Sequence, residues 1–344
     1  MKDYNGVVLT TPISMGYARQ SPHGAAWFVG SVLREMISAA GLTKKDINGF
    51  SVSSFSLGID SAVALTQHFG LCVRWLEQAN VGGVSGILAL RRAARAVQCG
   101  DADIVACIGG DGAAHRSFEH TAAHFSNWST DAVFPYGAAG PNGPFSLITA
   151  HYMERYQAQR EDFARICLDQ RYNANHFPGA LLGHKKLSLS DYLNARPIAG
   201  PLHLFDCVMP CAGGEGFLVM SEERARQLKL PAVKILAADE CHNAHADDPV
   251  QDRGGWTQYI EGLYNRAAVG PEDVDFLQTY DDYPVISMLQ MEDLGFCGKG
   301  EAPEFVGHTD MRFDGSGSGL NKLPHNTSGG QLSCGPAGAA AGFL

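Results

Sequence analysis

The sequence predicts an α/β fold built from two similar halves. Short apolar runs of strand length alternate with amphipathic stretches of helical period. One phrase, helix then turn then strand, occurs twice. Asp46-Ile47-Asn48 leads into a strand-like stretch at 50–54, and Asp273-Val274-Asp275 leads into another at 276–279. Such a return is the mark of an internal duplication. Residues from about 113 to 200 break the rhythm of the first half, with a Gly/Pro-rich run at 136–144.

Each element has its own reason. Residues 7–10 read as a first strand. Residues 25–40 place Phe28, Val32, Met36 and Ile37 on one side, which predicts a helix. A strand follows at 50–54 and a helix near 60–69. The stretch 80–92 organises the rest. It opens with small residues that allow close backbone approach. It then becomes a helix through Val84, Ile87, Leu88, Ala94 and Val97, with Gly100 as its C-terminal cap. A small-residue helix start in an α/β pattern points its N-terminus at a site. Residues 104–108 read as a buried strand ending at Gly109-Gly110-Asp111. Helices are predicted at 146–157 and 160–175. Residues 201–206 and 214–220 read as a strand pair completing the first half, and 232–238 opens the second.

Composition narrows the function classes. The 344 residues are long enough for a sizeable core. The 40 glycines exceed the usual share of roughly 7%. The net charge of −10, from 36 acidic and 26 basic residues, argues against nucleic acid and anionic membranes as partners. The nine cysteines are scattered and odd in number, and Cys207 and Cys211 have no second pair, so neither a disulfide framework nor a metal site is predicted. No apolar run approaches the roughly 20 residues that span a bilayer, and no signal peptide is visible. A reduced, cytoplasmic protein is expected.

Residues 77–111 resemble the thiolase superfamily, and within it the thiolases related to sterol carrier protein x. Gly109-Gly110-Asp111 and Asn326-Thr327-Ser328-Gly329-Gly330 are similar to the family's frame motifs. The resemblance implies the thiolase fold: duplicated αβαβα halves in a five-layer sandwich, with an inserted loop domain. The halves would be 1–230, including the loop domain at about 113–200, and 231–344. Active thiolases open the organising helix with Cys-x-Ser-Gly and load the acyl group on that cysteine. Here the matching residues are Gly83-Val84-Ser85-Gly86. The Asn-Glu-x-Phe or His-Asp-x-Phe loop is matched by Tyr280-Asp281-Asp282-Tyr283. In the Gly-His-Pro loop, matched at 335–337, Pro336 replaces the general-base histidine. The family's pattern also leads one to expect further chain, with a Cys-x-Gly-Gly loop, after Leu344.

Gly83 cannot carry an acyl group and Pro336 cannot accept a proton, so thiolysis is not expected. An acyl-thioester site with backbone donors at Gly83 and Val84 survives, suited to stabilising an enolate. Retro-aldol cleavage of a β-hydroxyacyl-CoA needs such a site and an acid/base, but no covalent nucleophile. The chain resembles the steroid side-chain aldolases of the superfamily, which also lack the cysteine and place a tyrosine at the position of Tyr280. Those enzymes carry a second tyrosine where Pro336 stands. Tyr280, Asp281 and Asn326 are the expected catalytic residues. Gly83, Val84, Tyr283, His325, Gly329, Gly330 and Pro336 are the expected substrate-binding residues. The expected substrate is a coenzyme A thioester, bulky, steroid-like or aromatic, with no bound cofactor. The resemblance further implies a homodimer and a small OB-fold, zinc-ribbon partner protein. Two other classes remain: a non-catalytic acyl-CoA or lipid-binding or scaffold subunit, and an acyltransferase with an atypical nucleophile such as Cys334. The histidines His115, His120 and His124 read as roof or interface residues.

Overall fold

A computed structural model describes residues 3–112, 129–138, 140–335 and 338–344. The histidines at 115, 120 and 124, and Pro336, lie outside the described residues. The strands in chain order are β1 Val7–Ala18, β2 Gly49–Ser53, β3 Trp75–Gln78, β4 Ile104–Asp111, β5 Pro197–Ala199, β6 Leu202–His203, β7 Ala212–Ser221, β8 Ala232–Lys234, β9 Thr309–Asp310 and β10 Asn321–Lys322. The longer helices are α1 Ala25–Ala39, α2 Ser61–Phe69, α3 Ser85–Cys99, α4 Asn142–Tyr156, α5 Arg160–His176, α6 Trp256–Ala267 and α7 Pro284–Asp293. Two compact units result. The first comprises Met1–Ala114, Pro210–Glu240 and Pro336–Leu344; the second comprises His115–Met209 and Cys241–Gly335.

The first unit is built on a six-stranded mixed sheet in the order β3-β2-β4-β7-β1-β8. β2, β3 and β4 are parallel, while β7 runs antiparallel to both β4 and β1. Strand β4 shows why its sequence is apolar throughout. Ile104, Ala106 and Ile108 face Val29, Val32 and Met36 of α1, whereas Val105 and Cys107 face Ala89, Ala93 and Ala94 of α3. A strand covered on both faces has no polar side to alternate with. The alanines of α3 let that helix lie close to the sheet.

The second unit packs α4, α5 and α7 around Tyr152, Phe163, Ile166, Met288 and Met291. Beside them three short segments run parallel. Leu277 pairs with the stretch at 324–326, and β9 pairs with β10 and onward to His325.

The duplicated phrase is real at the level of local structure. Lys44–Asp46 and Pro271–Asp273 are both 3-10 turns. In each, the aspartate accepts the backbone N–H three residues earlier, Thr43 or Gly270, at 2.8 Å. The copies then diverge: the first continues into β2, whereas 276–279, expected to be a strand, makes one isolated bridge at Leu277.

Three further expectations are corrected. β1 runs to Ala18 rather than residue 10, because two register shifts against β7 and a positive φ of 51° at Thr11 scramble its alternation. Residues 201–206 do not pair with 214–220. Leu202 and His203 pair with β5, and Asp206 accepts the His203 N–H at 2.8 Å, bending the chain into a 3-10 turn. Residues 232–238 form a strand only at 232–234, where β8 lines the edge of the first sheet against β1. No helix of the described residues is long and apolar enough to cross a membrane.

Candidate functional site in a tyrosine–aspartate turn

In the first unit the expected substrate-binding residues Gly83 and Val84 lie in a 3-10 turn, Gly82–Val84, that runs directly into α3. Gly83 is buried and Val84 is exposed. Ser85 stitches the turn: its hydroxyl donates to the Gly82 carbonyl at 2.6 Å and accepts the Val81 N–H at 3.2 Å. The first N–H groups of a helix lack intrahelical partners and sit at the positive end of the macrodipole. Negative charge is favoured there. Nearby, Asp111 at the end of β4 binds Ser54, Phe55, Ser56 and the Ala339 N–H, which fixes the loops at that end of the sheet.

The second unit holds the remaining described residues. Thr279–Tyr283 is an irregular segment, bent at 282–283, that leads into α7, whose first residue, Pro284, suits a helix start. The amide of Gln290 grips Tyr280 on both sides, accepting its N–H at 3.1 Å and donating to its carbonyl at 2.7 Å. The Tyr280 hydroxyl donates to Asp282 Oδ2 at 2.5 Å. Burial first, then the Asp282 charge, pushes the phenol well above its ordinary range. Asp282 is itself pushed up to about 7 by burial, with the Asp281 charge adding to the rise.

Asp281 plays a different part. Its carboxylate accepts the N–H groups of Gln331 and Leu332 at 3.0 and 3.5 Å, so it holds down the helical turn Gly330–Ser333. Burial raises its pKa to about 6. Asn326 is equally engaged: its side chain accepts the Thr279 N–H at 2.8 Å and donates to the Thr279 carbonyl at 3.2 Å. Tyr283 is fully buried, stacked on Phe145 at 4.5 Å, and donates to Asn142 at 2.6 Å. His325 bonds Thr279 through Nε2 at 2.7 Å, and burial drives its pKa down to about 3, so the ring is neutral near pH 7. Gly329 and Gly330 both adopt positive φ, 102° and 58°. A Cβ on Gly330 would lie 2.1 Å from Asp281 Oδ2.

The second unit thus holds Tyr280, Asp281 and Tyr283 on one segment and His325, Asn326, Gly329 and Gly330 on another, joined through Thr279 and Asp281, and the first unit holds Gly83 and Val84. Sequence reasoning chose Asp281 and passed over Asp282, whose carboxylate meets the phenol. The signal was present as two adjacent aspartates, but choosing between them requires the backbone direction through the turn.

Residues 238–344 match the family model described as thiolase C-terminal domain-like. The chain is 29% identical over 322 residues to a steroid side-chain-cleaving aldolase of Thermomonospora curvata, covering 86% of this chain and 78% of that one. It is 28% identical over 341 residues to 17-hydroxy-3-oxo-4-pregnene-20-carboxyl-CoA lyase of Mycobacterium tuberculosis, covering 92% and 84%. Among solved structures it superposes on the Ltp2–ChsH2(DUF35) aldolase with a TM-score of 0.82 and 25% identity, over 97% of this chain and 86% of that one. The chain has the thiolase fold, and its last third matches that fold's C-terminal domain. It is a thiolase-fold protein with glycine at the position of the nucleophilic cysteine. Five of its nine thiols are poorly suited to replace it. Cys334 is fully buried, burial pushes Cys107 and Cys167 up strongly, and Cys207 and Cys297 rise to about 12. A thiol in such surroundings is not the thiolate that acyl transfer requires.

Proposed function

We propose that this protein is a carbon–carbon lyase of thiolase fold that cleaves the Cα–Cβ bond of a β-hydroxyacyl-CoA. The products are an aldehyde or ketone and a short acyl-CoA. The observation that carries the reading is Gly83. A thiolase-fold protein that cannot form an acyl-enzyme retains the means to stabilise a thioester enolate, and retro-aldol cleavage needs just that. The likeness to a CoA lyase and a steroid side-chain-cleaving aldolase over most of the chain supports it.

In this reading Tyr280 exchanges a proton with the substrate hydroxyl. Gly83 and Val84 keep their assignment as substrate-binding residues by resemblance and by their place at the start of α3. Asp281, Asn326, Gly329 and Gly330 hold the loop that presents Tyr280, and Tyr283 and His325 are its buried support. Pro336 keeps its assignment as a binding residue by resemblance alone. The substrate is a CoA thioester with a bulky, steroid-like or aromatic acyl group, and the chemistry calls for no resident cofactor.

We place the protein in the cytoplasm, in keeping with nine free cysteines. It works as a homodimer with a small OB-fold, zinc-ribbon partner. For the dimer, β3 is a sheet edge paired on one side only, and Leu76, Val63, Val81, Val84 and Ile87 around it in sequence are exposed. For the partner, the similar solved structure is itself an aldolase with a DUF35 chain. The sequence halves 1–230 and 231–344 stand as a proposal about ancestry, supported by the paired Asp46 and Asp273 turns.

The test is incubation with secondary and tertiary β-hydroxyacyl-CoA thioesters, with and without the partner, followed by mass spectrometry. Equimolar carbonyl product and acetyl- or propionyl-CoA are expected, with Tyr280→Phe slower by roughly 10²–10⁴-fold. Tight binding without product across several acyl groups would establish a binding subunit instead. A covalent acyl adduct on a cysteine, seen in intact mass, would establish a transferase.

A further inference from the structure

Two carboxylates follow Tyr280, and the fold gives them different work. Both oxygens of Asp281 take backbone N–H groups of the Gly330–Ser333 turn. Asp282 instead presents Oδ2 to the Tyr280 phenol at 2.5 Å, in the short range of an O–H···O⁻ bond. This arrangement is clamped. Gln290 holds Tyr280 by N–H and carbonyl, and the Asp282 carbonyl accepts the Val208 N–H at 3.1 Å.

From this geometry we infer that Asp282 is a positioning residue for the lyase: it orients the Tyr280 phenol and receives its proton when the phenol takes the proton of the substrate hydroxyl. The inference rests on the lyase reading above. The step balances without any co-reactant. The β-hydroxyl proton passes to Tyr280 Oη as the phenol proton passes to Asp282 Oδ2. The Cβ–O bond becomes a carbonyl, the Cα–Cβ bond breaks, and its electron pair enters the thioester enolate. The proton then returns from Asp282 through Tyr280 to Cα, which leaves the short acyl-CoA and restores the starting state.

A relay answers a difficulty that Tyr280 alone does not. Burial places its own ionisation far above neutrality, so a free tyrosinate is out of reach. A phenol that donates one proton while accepting another never has to become one. The acceptor behind it is well matched. Asp282 titrates at about 7, where a group both takes and returns a proton readily. The groups facing it are Tyr280, Asp281 and Tyr283 of its own turn, and the neutral Gln331 amide of the next helical turn. Cys207 acts on Tyr283 from the segment before Val208.

The experiment is the pH profile of kcat/KM for thioester cleavage in the wild type, Asp282→Asn, Asp282→Glu and Tyr280→Phe. The wild-type rate should rise with pH through an apparent pKa of about 7, because the acceptor works deprotonated. Asp282→Asn should lose that limb and roughly 10²-fold or more in kcat with little change in KM. Asp282→Glu should restore part of the rate with a displaced limb, and it decides the matter should the asparagine variant fail to fold. An Asp282→Asn enzyme with the wild-type limb and kcat within about threefold would overturn the role of Asp282 and leave the lyase standing. A folded wild type that cleaves nothing at any pH would overturn the lyase reading, and the role of Asp282 with it.

Discussion

At the scale of single residues, buried ionisable groups give the protein opposing responses to pH. Glu215 lies inside β7, where it accepts the hydroxyls of Ser14 at 2.6 Å and Tyr17 at 2.5 Å. Burial outweighs those two bonds and raises its pKa from 4.5 to about 7. Folding therefore favours the protonated acid. Its contribution is full below about 4.5 and declines as pH rises through 7. His325 behaves in the opposite sense, its pKa falling from 6.5 to about 3. Its contribution is full above 6.5 and is lost as pH drops towards 3. Glu215→Gln keeps an acceptor for both hydroxyls and removes the titration. The variant should match the wild type at pH 5 and exceed it at pH 8 by roughly 2–3 kcal/mol, read from thermal melting at the two pH values. An equal difference at both would refute the buried-acid account. Little of this was legible in the sequence. Glu215 stands between glycines with nothing to mark it, and the choice between Asp281 and Asp282 turns on which carboxylate the backbone aims at the phenol.

At the scale of elements, some helices are legible in the sequence, α4 begins at Asn142 rather than 146, α7 is not foreseen, and strands are uneven. α1, α3 and α5 fall within a residue or two of expectation, and Gly100 caps α3 in the left-handed conformation as its type predicts. Helical period is a local property, visible in one stretch of chain. A strand depends on what lies beside it. Residues 276–279 and 201–206 have strand-like composition, yet the first finds one bridging partner and the second is bent by Asp206. The Tyr280–Tyr283 segment likewise depends on another element. Gly329 and Gly330 bring the Gly330–Ser333 turn close enough for Asp281 to bind its N–H groups. Gly330→Ala would require an L-residue at φ 58° with its Cβ against Asp281. A loss of roughly 1–3 kcal/mol is expected, measurable by urea denaturation. Unchanged stability would mean that the turn is not held as described.

At the scale of the whole molecule, the sequence points to the thiolase fold through short spaced motifs and the doubled Asp46 and Asp273 turns, which need no knowledge of distant contacts. It did not carry the way one unit collects three separate stretches of chain. The oligomer belongs to this scale. Analytical ultracentrifugation should show twice the 36.8 kDa chain mass. Val63→Glu combined with Leu76→Glu should yield a monomer if the β3 edge is the contact. A monomeric wild type would exclude the homodimer, and a dimer that tolerates both charges would move the contact elsewhere. Adding the proposed OB-fold partner should raise the mass further, and an unchanged mass would count against that partner.

Strand β1 has a consequence for biosynthesis. Its two neighbours, β7 and β8, come from residues 212–234, so this twelve-residue strand is translated about two hundred residues before either of them. At bacterial or eukaryotic speeds that interval is roughly 10–40 s. During it, the nascent chain presents an open β edge near its leading end, the kind of surface that chaperones cover and that otherwise seeds aggregation. Of the six strands in the finished sheet, β1 is therefore the one that waits longest for a strand partner.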